Sequence, residues 1–249
     1  MLSSIKQAVF SIYFLAGTIA ICIVIFCSSV GKIVSAFRSV NLLVYGFHGE
    51  FMLNALESEA IIVFIPIICT LPYSAAFIDD IKTGFIKYYL HRTSRNAYIT
   101  GRIVGCMISG GTVLVLGVLL AYVVSALLFS PLEAMPLSGG TYIYFLKIIT
   151  KCCLIFLSGA FWALIGMTLS TETGSKYVAY ASPFILYYVF IILHERYFNW
   201  LYVIYPKEWL SPSNKWAFGC LGVVILLVEL IIITSLRFSV VARRRMLEL

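Results

Sequence analysis

Apolar runs separated by short polar stretches make up most of this chain. Six runs approach or exceed the roughly 20 residues that a helix needs to cross a hydrocarbon core of about 30 Å. The pattern therefore predicts an all-α integral membrane protein, in which residues 1–249 form a single membrane domain with six transmembrane helices. The predicted spans are residues 8–30, 60–77, 103–129, 152–170, 177–194 and 216–236.

Two of the stretches between spans carry their own patterns. Residues 31–59 mix apolar runs with acidic side chains, which predicts short helices at the membrane surface. Residues 197–212 hold six Phe, Tyr and Trp side chains, a density typical of an interfacial aromatic belt.

Basic residues are distributed unequally between the loops on the two sides of the predicted bundle. With the N-terminus inside, the inner loops hold eleven Lys and Arg residues and the outer loops hold five. Because Lys and Arg gather in cytoplasmic loops, the imbalance predicts that both termini are cytoplasmic. The inner set is Lys6, Lys82, Lys87, Arg92, Arg95, Arg102, Lys176, Arg237, Arg243, Arg244 and Arg245, and the outer set is Lys32, Arg38, Arg196, Lys207 and Lys215.

The composition excludes an ordinary soluble domain. Hydrophobic residues make up 61% of the chain and charged residues only 12%, so the expected surroundings are a lipid bilayer. The formal net charge of +7 does not indicate nucleic-acid binding, because the basic residues lie in loops beside the spans. All seven cysteines lie in apolar segments, with neither a disulfide framework nor zinc-binding spacing, and no metal site is predicted.

The loop at residues 79–102 is the largest of the predicted inner loops and holds five of the 18 Lys and Arg residues. Its apolar residues Ile81, Phe85 and Tyr89 recur at i, i+4 and i+8, which predicts a short amphipathic helix. Lys82 and Lys87 lie off that apolar line.

The same loop has a distinctive order of features: an acidic pair, Gly84, the apolar-basic helix, and then two arginines and Tyr98 before the next span. Together with the six-span pattern, this order resembles the first cytoplasmic loop of the type-2 ATP-binding-cassette (ABC) transporter permeases. In that family the loop carries the coupling helix that touches the ATPase. The resemblance implies an ATPase-coupling role for Asp79, Asp80, Lys82, Gly84, Phe85, Lys87, Tyr89, Arg92 and Arg95.

The resemblance further implies the membrane-spanning half of an exporter, in a bacterial plasma membrane. Two copies of an ATPase subunit would bind ATP and Mg²⁺, and a second permease subunit, identical or related, would complete the complex. The mostly apolar spans suit an amphiphilic substrate such as a peptide, a lipid or a drug. In this family short re-entrant helices precede the last span, which is the alternative to an aromatic belt at residues 197–212.

The chain itself is not expected to be an enzyme. It contains no G-x-x-x-x-G-K-[ST] stretch that would cradle nucleotide phosphates, and its three histidines have no metal-ligand spacing. Asp79 and Asp80 leave two interpretations open. They are either a magnesium-binding pair or acidic residues that complement the dipole at a helix N-terminus.

Two charged residues are candidates for a translocation path. Glu229 lies within the sixth predicted span, where an ionisable side chain is costly and is expected to face a cavity or a partner. Lys151, at the edge of the fourth span, either lines the path or extends to the outer interface.

A function of another class also fits the pattern. It is a non-transporting membrane protein, either a sensor or immunity subunit or a lipid-modifying enzyme. An ATPase subunit that co-purifies with the chain would distinguish the transporter from both.

Overall fold

Helices form nearly all of the regular structure in the computed structural model, which describes residues 8–9, 11–38, 43–90, 94–134, 141–213, 216 and 218–247. For residues 88–90 and 141–145 it describes the backbone alone. Within these ranges there is no β-strand, only an isolated bridge between Leu43 and Glu133. The all-α prediction is therefore confirmed.

The helices follow one another with short connections. In chain order they are α1 (Ile12–Ser28), α2 (Val30–Arg38), α3 (Phe47–Leu56), α4 (Glu59–Ile68), α5 (Ala76–Lys82), α6 (Phe85–Leu90), α7 (Arg95–Phe129), α8 (Thr141–Thr173), α9 (Lys176–Ile192), α10 (Pro206–Leu210) and α11 (Cys220–Leu247). A π-helical turn, Leu193–Tyr197, extends α9.

Four of the described helices, α7, α8, α9 and α11, are long and apolar enough to cross a membrane. Two bent pairs raise the number to six if each pair is a single span: α1 with α2, bent by 59°, and α3 with α4, bent by 66°. These helices are consistent with a membrane-embedded protein.

Helix α8 lies at the centre of the bundle and packs against α7, α9 and α11. Its contact with α7 is close because glycines face each other at Gly110 and Gly159. A Cβ atom added to Gly110 would lie 2.5 Å from the Cβ of Ala163, and one added to Gly159 would lie 2.8 Å from the carbonyl oxygen of Gly110. Small residues thus permit the two backbones to approach, as they do between helices in lipid.

The prediction of one continuous helix over residues 60–77 is wrong. Helix α4 ends at Ile68, turns occupy residues 69–75, and a helix resumes only at Ala76. Pro72 lies within the break: it has no N–H for the helical ladder and disfavours helical geometry at the residue before it. Pro66 is accommodated inside α4, which continues to Ile68. With ten residues, α4 alone extends only about 15 Å.

The described part of residues 31–59 contains the short helices predicted there, and residues 197–212 contain the short helix α10. Their side chains do not all lie at a surface, however. Phe51, Met52 and Ala55 of α3 are buried, and α3 packs against α7 and α8. Trp209 of α10 is only 2% exposed and contacts Phe161 and Trp162 of α8. Part of the predicted aromatic belt is therefore core.

Polar contacts gather at the two ends of the bundle. At one end, which we name the Asp80 end, Arg237 of α11 donates to Glu172 of α8 over 2.9 Å, and Arg243 donates to Asn96 of α7 over 3.2 Å. At the other, the Lys151 end, the ion pairs are Lys151 with Glu57 and Lys207 with Glu59, and a hydrogen bond of 2.8 Å joins the His48 ring to the Glu133 carboxylate.

Candidate functional site

The candidate coupling segment consists of two short helices rather than one. Helix α5 ends where the Thr83 hydroxyl donates to the Asp79 carbonyl over 2.8 Å, and the backbone then reverses at Gly84. Gly84 has a φ of 71°, in the left-handed region that glycine adopts without steric cost. Helix α6 begins at the next residue.

This turn changes the face that each apolar residue presents. The i, i+4 spacing predicted that Ile81 and Phe85 share one apolar stripe, and that prediction is wrong because the helix is interrupted between them. Ile86 is the residue that packs into the bundle, with 1% of its surface exposed, whereas Phe85 is 46% exposed.

Asp80 anchors α5 to the start of α7 through a buried polar network. Its carboxylate accepts hydrogen bonds from the Tyr98 hydroxyl and from the Arg102 guanidinium. Arg102 in turn donates to the hydroxyl of Tyr98 over 3.2 Å and to the hydroxyl of Tyr73. We name Tyr73, Asp80, Tyr98 and Arg102 the Asp80 network.

The Arg102 guanidinium is enclosed by aromatic rings as well as by hydrogen-bond acceptors. Its central carbon lies 5.3 Å from the ring centre of Tyr73 and 5.2 Å from that of Tyr98, within the range of cation–π attraction. Only 3% of Arg102 is exposed. A buried charge is stable when its donors are paired in this way.

Burial raises the pKa of the Asp80 carboxyl above its ordinary value, because the ionised form loses hydration. The positive charge of Arg102 and the hydrogen bond from Tyr98 act in the opposite direction. The ion pair with Arg102 thus offsets part of the cost of burying Asp80.

Neighbouring contacts tie the same segment to other helices. Asp79 forms an ion pair with Lys176, the first residue of α9. The Ser74 hydroxyl, in the turn before α5, donates to the Ala163 carbonyl of α8 over 3.2 Å. Helix α5 is consequently connected to α7, α8 and α9.

Asp79 and Asp80 do not converge on a common point, since each pairs with a different basic residue. Within the residues that the structure describes, no three His, Cys, Asp or Glu side chains are grouped as a metal ion would need. The magnesium interpretation of this pair therefore has no geometric support.

The outward side of this segment is basic and, among its described side chains, includes the exposed ring of Phe85. Lys82, Phe85 and Lys87 are all exposed, and we name them the α5–α6 surface. Arg95 begins α7 and is also exposed. Tyr89 belongs to α6, where only its backbone is described, and Arg92 lies outside the described residues.

Four residues that complete the site were not among the sequence-predicted coupling residues: Tyr73, Tyr98, Arg102 and Lys176. Arg102 had a recognisable signal. It immediately precedes a long uncharged run, where an arginine needs a partner, and Tyr98 lies one helical turn earlier on the same face. No comparable local signal identifies Tyr73 or Lys176, which reach the site only through the tertiary fold.

The two translocation candidates lie far from this site. Lys151 bonds to Glu57 and, over 3.2 Å, to the hydroxyl of Ser211, so it belongs to a polar cluster at the Lys151 end. Glu229 is exposed on α11 and makes no hydrogen bond or ion pair with the described residues. The structure does not bring the two together.

No model of a known protein family matches the chain, and no curated protein is significantly similar to it.

Proposed function

We propose that the chain is the membrane-spanning subunit of an ATP-driven exporter, a permease of the type-2 ABC class. A separate ATPase subunit, present in two copies, binds ATP and Mg²⁺ and docks on the α5–α6 surface. A second permease subunit completes the transporter. The Asp80 end and both termini are cytoplasmic, six spans cross a bacterial plasma membrane, and the cargo is an amphiphile.

The observation that carries this proposal is the combination of an exposed surface with a buried anchor on one short segment. Phe85 presents an aromatic side chain to solvent, between Lys82 and Lys87. Large aromatic residues are the usual anchors of protein interfaces, and charged residues at the rim steer association. On the other side of the same segment, Asp80 is joined to Arg102 by a charge-assisted hydrogen bond.

This arrangement supports a mechanical role. A displacement of the α5–α6 surface moves α5, and Asp80 and Asp79 pass the displacement to α7 and α9 through their ion pairs. Closure of the two ATPase subunits on ATP would then change the relative positions of the spans, as domain closure does in other switching proteins. Because the segment is linked to several helices, one contact point acts on the whole bundle.

The test is co-purification of the ATPase together with substrate-stimulated ATP hydrolysis in liposomes. The Phe85→Ala variant is expected to lose most of the retained ATPase or to hydrolyse ATP without transport. Phe218→Ala is the matched control, since Phe218 is an exposed phenylalanine at the Lys151 end, with 73% of its surface accessible. It is expected to behave as the unsubstituted protein.

Two results would contradict the proposal. One is a chain that purifies from its native membrane without any ATPase, which would favour the non-transporting sensor or immunity function. The other is a Phe85→Ala variant that keeps both association and coupling. Lys82→Glu and Lys87→Glu are expected to change mainly the salt dependence of assembly.

A further inference from the structure

Glu229 lies near the middle of α11, the last of the long apolar helices. It stands nine residues after Cys220, where α11 begins, and eight before Arg237, which pairs with Glu172 at the Asp80 end. With a rise of 1.5 Å per residue, the carboxylate is about 12–14 Å along the helix from each of these points. In a membrane, this position is deep in the hydrocarbon.

The side chain points away from the bundle. The buried positions Val223, Leu227 and Ile231 form the stripe with which α11 packs on α8. Glu229 is two residues from both Leu227 and Ile231, which places it about 200° around the helix from each.

The face that carries Glu229 is otherwise apolar and open. Ile225, Ile232 and Leu236 are 55%, 52% and 63% exposed, and Glu229 is exposed among them. None of the described residues offers Glu229 a hydrogen bond or an opposite charge. The isolated chain therefore presents a lone carboxyl group where lipid tails would surround it.

Such a group is costly in either protonation state. An ionised carboxylate in hydrocarbon is strongly unfavourable, and a protonated one still leaves a hydroxyl donor and a carbonyl acceptor without partners. Ionisable residues inside membranes consequently pair with another polar group. Because none of the described residues supplies such a group, we look for the partner of Glu229 outside the described bundle.

A second copy of the chain is poorly suited to supply it. Every Lys and Arg that the structure describes lies near one of the two ends of the bundle, and none lies at the depth of Glu229. In a two-fold symmetric contact whose axis runs beside Glu229, its carboxylate would approach the same carboxylate of the second copy. Like charges at short range are destabilising.

We propose that the Glu229 face of α11 binds a transmembrane helix of a second, different polypeptide, and that this helix places a Lys or Arg side chain opposite Glu229. The permease assembly is thus heteromeric through α11. This inference requires only that α11 lies in a membrane, so it stands apart from the ATPase contact at the α5–α6 surface.

Photocrosslinking identifies the occupant of the face. A benzophenone side chain placed at Ile232 in native membranes is expected to give an adduct with a polypeptide other than this chain. Mass spectrometry is expected to locate the adduct in a membrane segment that contains Lys or Arg. The same probe at Ile185, which is 57% exposed on α9, is the matched control and should not give that adduct.

Charge exchange then tests the pairing itself. E229K is expected to reduce co-purification of the identified partner at least about tenfold, because truncated or reversed charge pairs at buried interfaces weaken binding strongly. Replacement of the partner's Lys or Arg by Glu should restore association with E229K. E229Q should bind weakly with no rescue by that replacement, and all variants should keep the gel-filtration profile of the solubilised chain, since Glu229 is exposed in it.

Several outcomes would overturn the inference: no protein adduct at Ile232, an adduct formed only with a second copy of the chain, or a partner segment without a basic residue. Unchanged association of both E229Q and E229K would do the same. If Phe85→Ala loses the ATPase but keeps the Ile232 adduct, the Glu229 face of α11 and the α5–α6 surface bind different partners.

Discussion

One ion pair at the Asp80 end, Arg102 with Asp80, and one at the Lys151 end, Lys151 with Glu57, differ in burial. The side chains of Arg102 and Asp80 are 4% and 14% exposed, and the hydroxyls of Tyr73 and Tyr98 make further hydrogen bonds to them. In the Lys151–Glu57 pair, by contrast, the Glu57 side chain is 55% exposed.

The difference in burial determines how much stability is lost when one member of each pair is removed. A buried pair that loses one member leaves an uncompensated charge, which is strongly destabilising, whereas an exposed pair contributes little and is weakened further by salt. The Asp80–Arg102 contact is therefore expected to move as one unit, and the Lys151–Glu57 contact is expected to rearrange at small cost. The proposed export function would use a rigid contact of this kind on the side where the ATPase docks.

The largest expected effect is a difference in chemical accessibility between the two ends. In a variant without native cysteines, Asn199→Cys should react with an impermeant thiol reagent in intact cells, and Thr173→Cys should not. Both native residues are exposed, so burial in the fold does not account for the difference. Labelling of Thr173→Cys from outside would place the Asp80 end on the wrong side for an ATPase.

Loss of the Arg102 guanidinium is the most damaging single change expected within the bundle. Arg102→Met keeps much of the side-chain length but leaves Asp80 buried without its counter-charge, at a cost of about 3–5 kcal/mol of unfolding free energy. Thermal unfolding in detergent measures the loss. The double variant Arg102→Met with Asp80→Leu should recover part of it, and strict additivity of the two changes would show that they do not interact.

The Arg102→Met defect should also depend on pH in a definite direction. Burial raises the pKa of Asp80, so the folded chain binds the proton more tightly than the unfolded chain does. The free energy of unfolding should therefore increase as the pH falls from neutrality toward the pKa that Asp80 has in the folded chain. Without Arg102 the carboxyl loses an interaction that lowers its pKa, so the variant should gain more from mild acidification than the unsubstituted protein.

The turn between α5 and α6 is expected to show an intermediate effect. Gly84→Ala places a Cβ atom on a left-handed residue, which costs about 1–2 kcal/mol, although no neighbouring atom lies within 4 Å of that position. Gly31→Ala is the control, because Gly31 lies in helix α2 with open space around it. That change should be neutral or slightly stabilising. Equal melting temperatures for the two variants would show that the turn is not constrained.

Sequence patterns predicted the helical class and most of the apolar segments because long uncharged runs have one main physical explanation. The same patterns did not predict where a helix is interrupted within an apolar segment. Turns at residues 69–75, which include Pro72, interrupt the second predicted span. Gly84 reverses the backbone between α5 and α6, so that Ile86, not Phe85, enters the core. Periodicity alone cannot show such a break, since the apolar spacing continues across it.

The buried partners of the site were harder to predict than its position. Asp80 and Arg102 are 22 residues apart and come together only because α5 packs beside the start of α7. Glu229 is the opposite case. Its cost at membrane depth was evident from sequence, but only the fold reveals that it points away from its own bundle.

The smallest effect is expected at the Lys151–Glu57 pair, which joins a basic and an acidic side chain as the Asp80–Arg102 pair does. Lys151→Met removes the ion pair with Glu57 and the hydrogen bond to Ser211, yet Glu57 can return to water, so the expected loss is about 0–1 kcal/mol of unfolding free energy. Thermal unfolding measured beside Arg102→Met compares the two ends directly. Under the proposed function, export should also continue if Lys151 serves only as an interfacial ion pair. A stable Lys151→Met variant whose ATPase partner still hydrolyses ATP while no substrate is exported would instead assign Lys151 to the translocation path.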